Sequence, residues 1–231
     1  MPPDPFAGPP DTLGGGGVST ARVGLYYSLD GTLNGRPDNA LLAAGGGGGF
    51  ASGPFGRQAY EKTGGGNVLT RNSSPGPAYV SGRVWALAYS LRIDPATAGG
   101  RSTTVEAYDG GGNSISIQGI TSGDRVRVAL QDPSLYDPTF FDLTGTGIMN
   151  GAWHHLALSW NRVTGDAHLW MDGAVIASRN QAAASSAVGH FDQFRSQITS
   201  DVSAAVAGLF WFNGELTTAQ VAALVAGYVP P

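Results

Sequence analysis

Cysteine is absent from this 231-residue chain, and lysine occurs once, at Lys62. Without cysteine there is no disulfide framework, no thiolate metal site and no cysteine nucleophile. With 13 basic against 17 acidic side chains, the formal net charge is −4, and there is no basic patch for nucleic acid or anionic lipid. Charged residues make up only 13% of the chain, whereas hydrophobic residues make up 42%, which is enough apolar material for a core.

Long apolar runs are lacking as well. The longest, residues 204–212, is interrupted by Gly208 and falls far short of the ~18 apolar residues of a membrane span. The chain opens Met-Pro-Pro-Asp-Pro, without the basic and apolar regions of a secretory signal peptide. These features predict synthesis in the cytoplasm, no export by the ordinary secretory route and no membrane partner.

Glycine, in contrast, is abundant, with 36 residues, and proline adds 14. Residues 1–19 are rich in proline and contain a run of four glycines, a composition that excludes a regular helix or a central strand. We predict a flexible N-terminal arm there, with Phe6 as the aromatic side chain that would dock on a partner. Residues 20–231 are predicted to form one domain, in which the glycine runs at 45–49 and 64–66 are loops.

From residue 21 onward, short apolar stretches alternate with glycine-rich or polar turns about every 8–15 residues, which is typical of an antiparallel sandwich or barrel. Asp172-Gly173 predicts a two-residue hairpin turn, because a type I′ turn needs positive φ at both central positions. Thr217 and Gln220 have the spacing of a capping box, which predicts a helix that stops at Gly227. The predicted strands are Val23–Ser28, Val84–Ile93, Ser102–Tyr108, Ser114–Gln118, Arg125–Leu130, Trp153–Trp160, Ala167–Met171, Ala174–Ser178 and Val206–Phe212.

The order of elements in two segments resembles a known family. Residues 153–173 read Trp-His-His-Leu-Ala-Leu-Ser-Trp, then a glycine-containing loop, then a strand ending in Asp-Gly; residues 208–216 place an apolar strand before the capped helix. This order resembles laminin-G-like and pentraxin-like domains of the concanavalin A-like superfamily. The resemblance covers about residues 20–229 and implies an all-β, concanavalin A-like β-sandwich jelly roll with one short C-terminal helix. It is weakly specific to function, because the superfamily includes lectins, hydrolases and structural modules.

Catalytic patterns of this fold are missing. Glycoside hydrolases need two carboxylates at one glycosidic bond, and related glucanases place them as Glu-x-Asp-x-x-Glu on one strand face. The chain has three glutamates, Glu61, Glu106 and Glu215, none of which lies in that pattern. A Gly-x-Ser-x-Gly nucleophile elbow does not occur either. The sequence therefore predicts a protein that is not an enzyme.

Metal candidates are few. Adjacent His154 and His155 point to opposite sheet faces, whereas His154 and His168 are expected to face each other across their hairpin. A packed, hydrogen-bonded histidine pair is the preferred interpretation, with a zinc site as the alternative. Related domains often bind calcium at rim loops, and Asp109 and Asn113 are weak calcium candidates here. Both also serve as ordinary turn residues, so calcium is an option and no cofactor is required.

Residues 131–142 form a loop-like stretch with three aromatic and three acidic side chains. Aromatic faces and fixed carboxylates suit sugar rings and their hydroxyls, which makes this stretch a candidate glycan-binding loop. The alternative is a covering loop that seals the edge of the core. The candidate glycan-binding residues are Tyr136, Asp137, Phe140, Asp142 and Tyr108. The tryptophans of the central hairpin, Trp153, Trp160 and Trp170, are assigned to core packing instead.

Two functions follow from the resemblance. The first is a non-enzymatic structural surface protein of a tailed bacteriophage virion, a minor tail or capsid decoration protein, since similar domains are found there. Such a protein would assemble in the host cytoplasm in several copies, attach to other virion proteins through residues 1–19, and bind host-surface glycans. The alternative is a free lectin-like carbohydrate-binding module.

Overall fold

The architecture is an antiparallel β-sandwich. The computed structural model describes residues 22–27, 31, 35–36, 43–45, 48–62, 68–71, 84–96, 103–108, 114–120, 122–131, 139–161, 164–180, 193–198 and 203–227. Within these ranges the strands are β1 (Arg22–Tyr27), β2 (Gly35–Arg36), β3 (Ala43–Gly45), β4 (Gly48–Ser52), β5 (Gln58–Lys62), β6 (Val68–Arg71), β7 (Val84–Ile93), β8 (Thr103–Tyr108), β9 (Ser114–Ile120), β10 (Arg125–Gln131), β11 (Thr139–Leu143), β12 (Trp153–Asn161), β13 (Asp166–Met171), β14 (Ala174–Asn180), β15 (Gln193–Ile198) and β16 (Ala204–Asn213). The single helix of these ranges that is longer than one turn is α1 (Thr218–Val225).

The strands form two sheets. The nine-stranded sheet has the order β14-β13-β12-β7-β16-β1-β2, and the β4–β5 hairpin joins it through β5, which pairs with β16. One edge of strand β16 pairs with β7, and the other edge is shared by two strands: its first residues pair with β5 and its second half pairs with β1. A register shift between Ala207 and Phe210, where Gly208 has a φ of 53°, separates the two halves. The seven-stranded sheet has the order β11-β10-β9-β8-β15-β6-β3, and the predicted all-β jelly-roll sandwich is confirmed.

The main core lies between the sheets. Alternate residues of β7 and β12 point into it, as the period of two along a strand requires. The indole rings of Trp85 and Trp160 meet edge to face, with centroids 5.9 Å apart. The Tyr89 hydroxyl donates to the carbonyl of Ile117 at 3.2 Å, which ties the first sheet to the second, and burial raises the pKa of Tyr89. The other members contributed by β7 and β12 are Leu87, Leu91, Ile93, Leu156 and Leu158.

Helix α1 covers part of the opposite face of the nine-stranded sheet. The Thr217 hydroxyl accepts from the Gln220 backbone N–H at 3.2 Å, and the Gln220 side chain accepts from the Thr217 N–H at 3.0 Å. This arrangement confirms the predicted capping box. Leu216 and Val221 lie in one buried cluster on either side of the cap, and Gly227 follows the helix with a φ of 86°. The cluster under the helix consists of Ala86, Ala88, Ala157, Trp170, Phe210, Phe212, Leu216, Val221 and Leu224.

Most local predictions agree with the structure. All nine predicted strands are present, with ends within two residues of those expected. The predicted turn at Asp172-Gly173 has φ of 52° and 86° and connects β13 to β14, which confirms the hairpin. Residues 1–19 and 64–66 lie outside the described residues, so the predicted arm and loop stay predictions.

Two predictions of loops are corrected. The glycine run at 45–49 contributes to β3 and β4, because glycine backbones pair normally, and a Cβ at Gly48 would lie only 2.6 Å from the Tyr60 hydroxyl. Residues 139–142, assigned to the long loop, belong to β11, which pairs with β10. Burial of Phe141 at this position anchors the strand to the core.

Helix α1 has eight residues, and nothing in the described part of the chain is helical over the length of a bilayer crossing.

Candidate functional site

One part of the nine-stranded sheet carries polar and aromatic side chains on the face opposite the main core. On β7, Ser90 and Arg92 alternate with the core residues and therefore point to this face. On the neighbouring β12, Trp153 lies opposite Arg92 and His155 opposite Ser90 in the strand register. On the other side of β7, the register continues through Ala205 of β16 to Glu61 of β5. We call the side chains of Trp153, Arg92, Glu61, Ser90 and His155 the Trp153 face.

Trp153 is the aromatic component of this face. It is only partly buried, and it packs against the small buried side chains Ala59, Ala205 and Ala207. The guanidinium carbon of Arg92 lies 5.2 Å from the centroid of its ring, within cation–π range. The alanines leave room for the indole on the sheet, and the strand register holds Arg92 beside it.

Arg92 and Glu61 form an ion pair across the intervening strand β16. The Arg92 Nη2 and Glu61 Oε1 atoms are 2.8 Å apart, and the two side chains are 32% and 34% exposed. The pair is therefore open to solvent on one side. Lys62, the next residue of β5, has the opposite orientation and is buried, and burial lowers its pKa to about 8. The positive charge of the Trp153 face is that of Arg92, and Glu61 balances it.

The buried end of the face is formed by His155 and Ser90, which are 5% and 6% exposed. Neither ring nitrogen of His155 has a hydrogen-bond partner among the residues that the structure describes. Burial lowers the pKa of His155 to about 4, although the carboxylate of Asp172 acts in the opposite direction. The imidazole is therefore neutral at pH 7.

His154, on the other side of β12, joins a hydrogen-bond network and not the expected histidine pair. Its Nδ1 lies 2.7 Å from Asp172 Oδ2, and its Nε2 lies 3.0 Å from Asn150 Oδ1. His168 is opposite Ser159 in the register and hydrogen-bonds to Ser178 at 2.9 Å. The prediction that His154 faces His168 is wrong, because one residue points toward the main core and the other away from it.

Those sequence-predicted glycan residues that the structure describes, namely Tyr108, Phe140 and Asp142, do not lie at the Trp153 face. Asp142 lies in the other sheet, where Arg127 Nη2 contacts it at 2.9 Å and Arg125 Nε at 3.3 Å. Phe140 is a residue of β11, and Tyr108 is the last residue of β8, paired with Ser114 and Gln193. The two other glycan candidates, Tyr136 and Asp137, lie outside the described residues, and so does Phe6, the candidate for docking on a partner. The role of these residues in binding stays a prediction.

Metal candidates find no support in the described ranges. Histidine, aspartate and glutamate do not gather in threes there, as a metal site needs. The calcium candidates Asp109 and Asn113 are outside those ranges, so calcium binding stays a prediction.

The Trp153 face was missed because every aromatic residue of the central hairpin was assigned to the core. Trp160 and Trp170 are indeed buried, but Trp153 is partly exposed. A signal was present in the spacing: Trp153 and Trp160 are seven residues apart, so they point to opposite faces of one strand. No pattern in the sequence indicated Arg92 or Glu61, because only the strand register brings them next to Trp153.

No protein-family model matches the chain, and no curated protein sequence matches it. The fold is similar to that of domain 4 of AbnA, an extracellular GH43 arabinanase from Geobacillus stearothermophilus, solved in complex with arabinotriose. The TM-score is 0.67 at 20% sequence identity, over 90% of this chain and 100% of that domain. At this identity the similarity establishes the fold, and function has to be argued from the site.

Botulinum neurotoxin binding domains share the fold as well. The receptor-binding domain of the C/D mosaic serotype has a TM-score of 0.64 at 12% identity, over 82% of this chain and 46% of that one. The serotype D ligand-binding domain, solved in complex with N-acetylneuraminic acid, has a TM-score of 0.60 at 12% identity, over 85% and 50%. The chain thus spans about half the length of these toxin domains.

Proposed function

We propose that the protein is a non-catalytic carbohydrate-binding β-sandwich and that it binds glycans at the Trp153 face. The observation that carries the proposal is the arrangement of Trp153, Arg92 and Glu61. An aromatic ring offers a surface for the C–H face of a sugar, and an exposed ion pair offers both donors and acceptors for its hydroxyls. Ligand sites commonly combine apolar surface with a few fixed polar groups in this way.

The structural neighbours support this proposal. Domain 4 of AbnA, which this chain matches over its whole length, was solved with arabinotriose. A toxin domain of which this chain matches half was solved with N-acetylneuraminic acid. A binding role also agrees with the position of Glu61. Its carboxylate lies 2.8 Å from the Arg92 guanidinium and is partly exposed, so its oxygens can accept hydrogen bonds from a sugar hydroxyl.

Binding of neutral and acidic oligosaccharides, measured by calorimetry, tests the site. Trp153→Ala is expected to weaken binding at least tenfold, since the stacking surface is removed, whereas Trp153→Tyr keeps a ring and most of the affinity. Tyr136→Ala is the comparison variant for the loop predicted from the sequence. Binding that is lost in Tyr136→Ala and intact in Trp153→Ala would move the site to that loop.

The biological setting is the finer part of the proposal. A place on the surface of a tailed bacteriophage virion rests on the sequence resemblance and on the proline- and glycine-rich composition of residues 1–19. Sedimentation of the native protein, detected by peptide mass spectrometry, tests it. Migration with a megadalton particle supports a virion protein, and migration as a free chain or small oligomer favours the free lectin-like module.

A further inference from the structure

We propose that the glycan bound at the Trp153 face is a neutral sugar and that Glu61 is the residue that excludes acidic ones. This inference rests on the proposed function and adds the class of its ligand. It starts from the charges of the face, which are one guanidinium and one carboxylate in direct contact at 2.8 Å.

An acidic sugar needs a cationic group that is free to pair with its carboxylate. Arg92 is the cation of this face, and Glu61 already occupies one edge of its guanidinium. Lys62 does not contribute, because it is 1% exposed and lies on the opposite side of β5. A sugar carboxylate at Arg92 would therefore approach the Glu61 carboxylate, and like charges at such distances repel each other.

A neutral sugar meets no such repulsion. A hydroxyl is both donor and acceptor, and the exposed sides of Arg92 and Glu61 supply one acceptor and several donors beside each other. Trp153 pairs with Arg92 in the strand register, and its side chain is partly exposed, so the ring and the hydrogen-bonding groups can contact one sugar unit together.

Trp153, Arg92, Ala205 and Glu61 form a row of paired residues across four strands, and this row continues beyond Glu61 onto β4. In the register of β4 and β5, Glu61 pairs with Gly49, which is exposed, and a Cβ built at Gly49 would meet no atom within 4 Å. From β12 to β4 the row crosses four strand spacings, about 19 Å at ~4.8 Å each. A surface of this length fits a chain of sugar units better than a single ring.

The test compares neutral and acidic sugars on the same protein. Arabinotriose and cellotriose are the neutral probes, and sialyllactose and trigalacturonate the acidic ones, each titrated at low and high salt. The wild-type protein is expected to bind a neutral probe at least tenfold more tightly than any acidic probe. Its affinity should change little with salt, because no net charge is neutralised on binding.

Glu61→Gln is the decisive variant, because it keeps the shape of the side chain and leaves Arg92 uncompensated. We expect about a tenfold loss of affinity for neutral sugars, since hydrogen bonds to a charged acceptor are the stronger ones. We also expect measurable, salt-sensitive binding of the acidic probes. Asp166→Asn makes the same change of net charge on β13, at the end of that strand that lies beside Trp160 and away from Trp153. It should alter the affinity for neither class of sugar.

The possible failures are distinct. If the wild-type protein binds none of the four probes, the proposed function fails and this inference fails with it. If acidic probes bind as tightly as neutral ones, sugar binding stands and the inference is refuted. If Glu61→Gln and Asp166→Asn gain binding of acidic sugars equally, the effect is that of net charge, and Glu61 does not select the ligand.

Discussion

Acid is expected to destabilise the fold through His155. In the folded protein its pKa is about 4, because the imidazole is buried, whereas an exposed histidine has a pKa of 6.5. Between these two values the unfolded chain binds more protons than the folded one. The stabilising effect is therefore complete above pH 6.5 and is lost as the pH falls from 6.5 toward 4.

The size of the effect follows from the same two values. The difference between a pKa of about 4 and one of 6.5 corresponds to about 3 kcal/mol once the pH is below both values. At pH 5 the titration is incomplete, and the expected loss in the free energy of unfolding relative to pH 7 is roughly 2 kcal/mol. This is a large part of the stability of a typical domain, which is about 5–15 kcal/mol.

Urea unfolding followed by tryptophan fluorescence at a series of pH values measures the loss. Other groups titrate in the same range, so the relevant quantity is the difference between the wild-type protein and a variant that lacks the imidazole. His155→Leu and His155→Gln serve for this, because neither side chain titrates. Between pH 7 and pH 5, the free energy of unfolding of each variant should fall by about 2 kcal/mol less than that of the wild-type protein.

The control is Ser90→Ala, which alters the cross-strand neighbour of His155 without removing a titrating group. Its pH dependence should run parallel to that of the wild-type protein. If the histidine variants also run parallel to the wild-type protein, the imidazole takes up its proton without cost, and the burial argument is refuted.

Two further stability predictions concern Lys62 and the helix cap. Burial lowers the pKa of Lys62 to about 8 against an ordinary 10.5, so the unfolded chain holds more protons between these values and the free energy of unfolding should rise with pH there. Urea unfolding at pH 7.5 and pH 9.5 measures this rise, and Lys62→Met should lack it. If the free energy of unfolding rises equally in the wild-type protein and in Lys62→Met, Lys62 is not the group responsible. Thr217→Ala should lower the free energy of unfolding by about 1 kcal/mol, because it removes the acceptor for the Gln220 N–H. Thr217→Ser keeps a hydroxyl and should retain most of this stability. If both variants lose the same stability, the hydrogen bond is not its source.

The parts of the fold that depend on local chemistry were predictable. The Asp172-Gly173 turn and the Thr217 cap are determined by neighbouring residues, and both agree with the structure. Strand β7 was predicted with its observed ends, because its ten residues form an uninterrupted run rich in apolar side chains. Short strands such as β2 and β15 were missed, since they depend on partners that are distant in the sequence.

The candidate site was less accessible to sequence reasoning. Trp153, Arg92 and Glu61 are separated by dozens of residues, and only pairing across β12, β7, β16 and β5 aligns them. The sequence offered a compact alternative at residues 131–142, where aromatic and acidic residues are adjacent along the chain. Proximity in sequence favoured that stretch, yet residues 139–142 belong to a strand, and Asp142 contacts two arginines there.

Within the described residues, the length of helix α1 determines how much of the outer face of the nine-stranded sheet it covers. Eight residues extend about 12 Å, which is enough to cover the apolar cluster around Phe210 and Phe212 but not a sheet of this width. The side chains on the outer face differ between the part under the helix and the part beyond it. Where the helix lies, the sheet presents alanines and phenylalanines, and beyond it the same strands β7 and β12 present Arg92 and Trp153. Among the described residues, one part of this face is covered by the helix, and the next part carries a partly exposed ion pair beside an aromatic ring. This division is the reason for proposing the binding surface at Trp153 rather than on a loop.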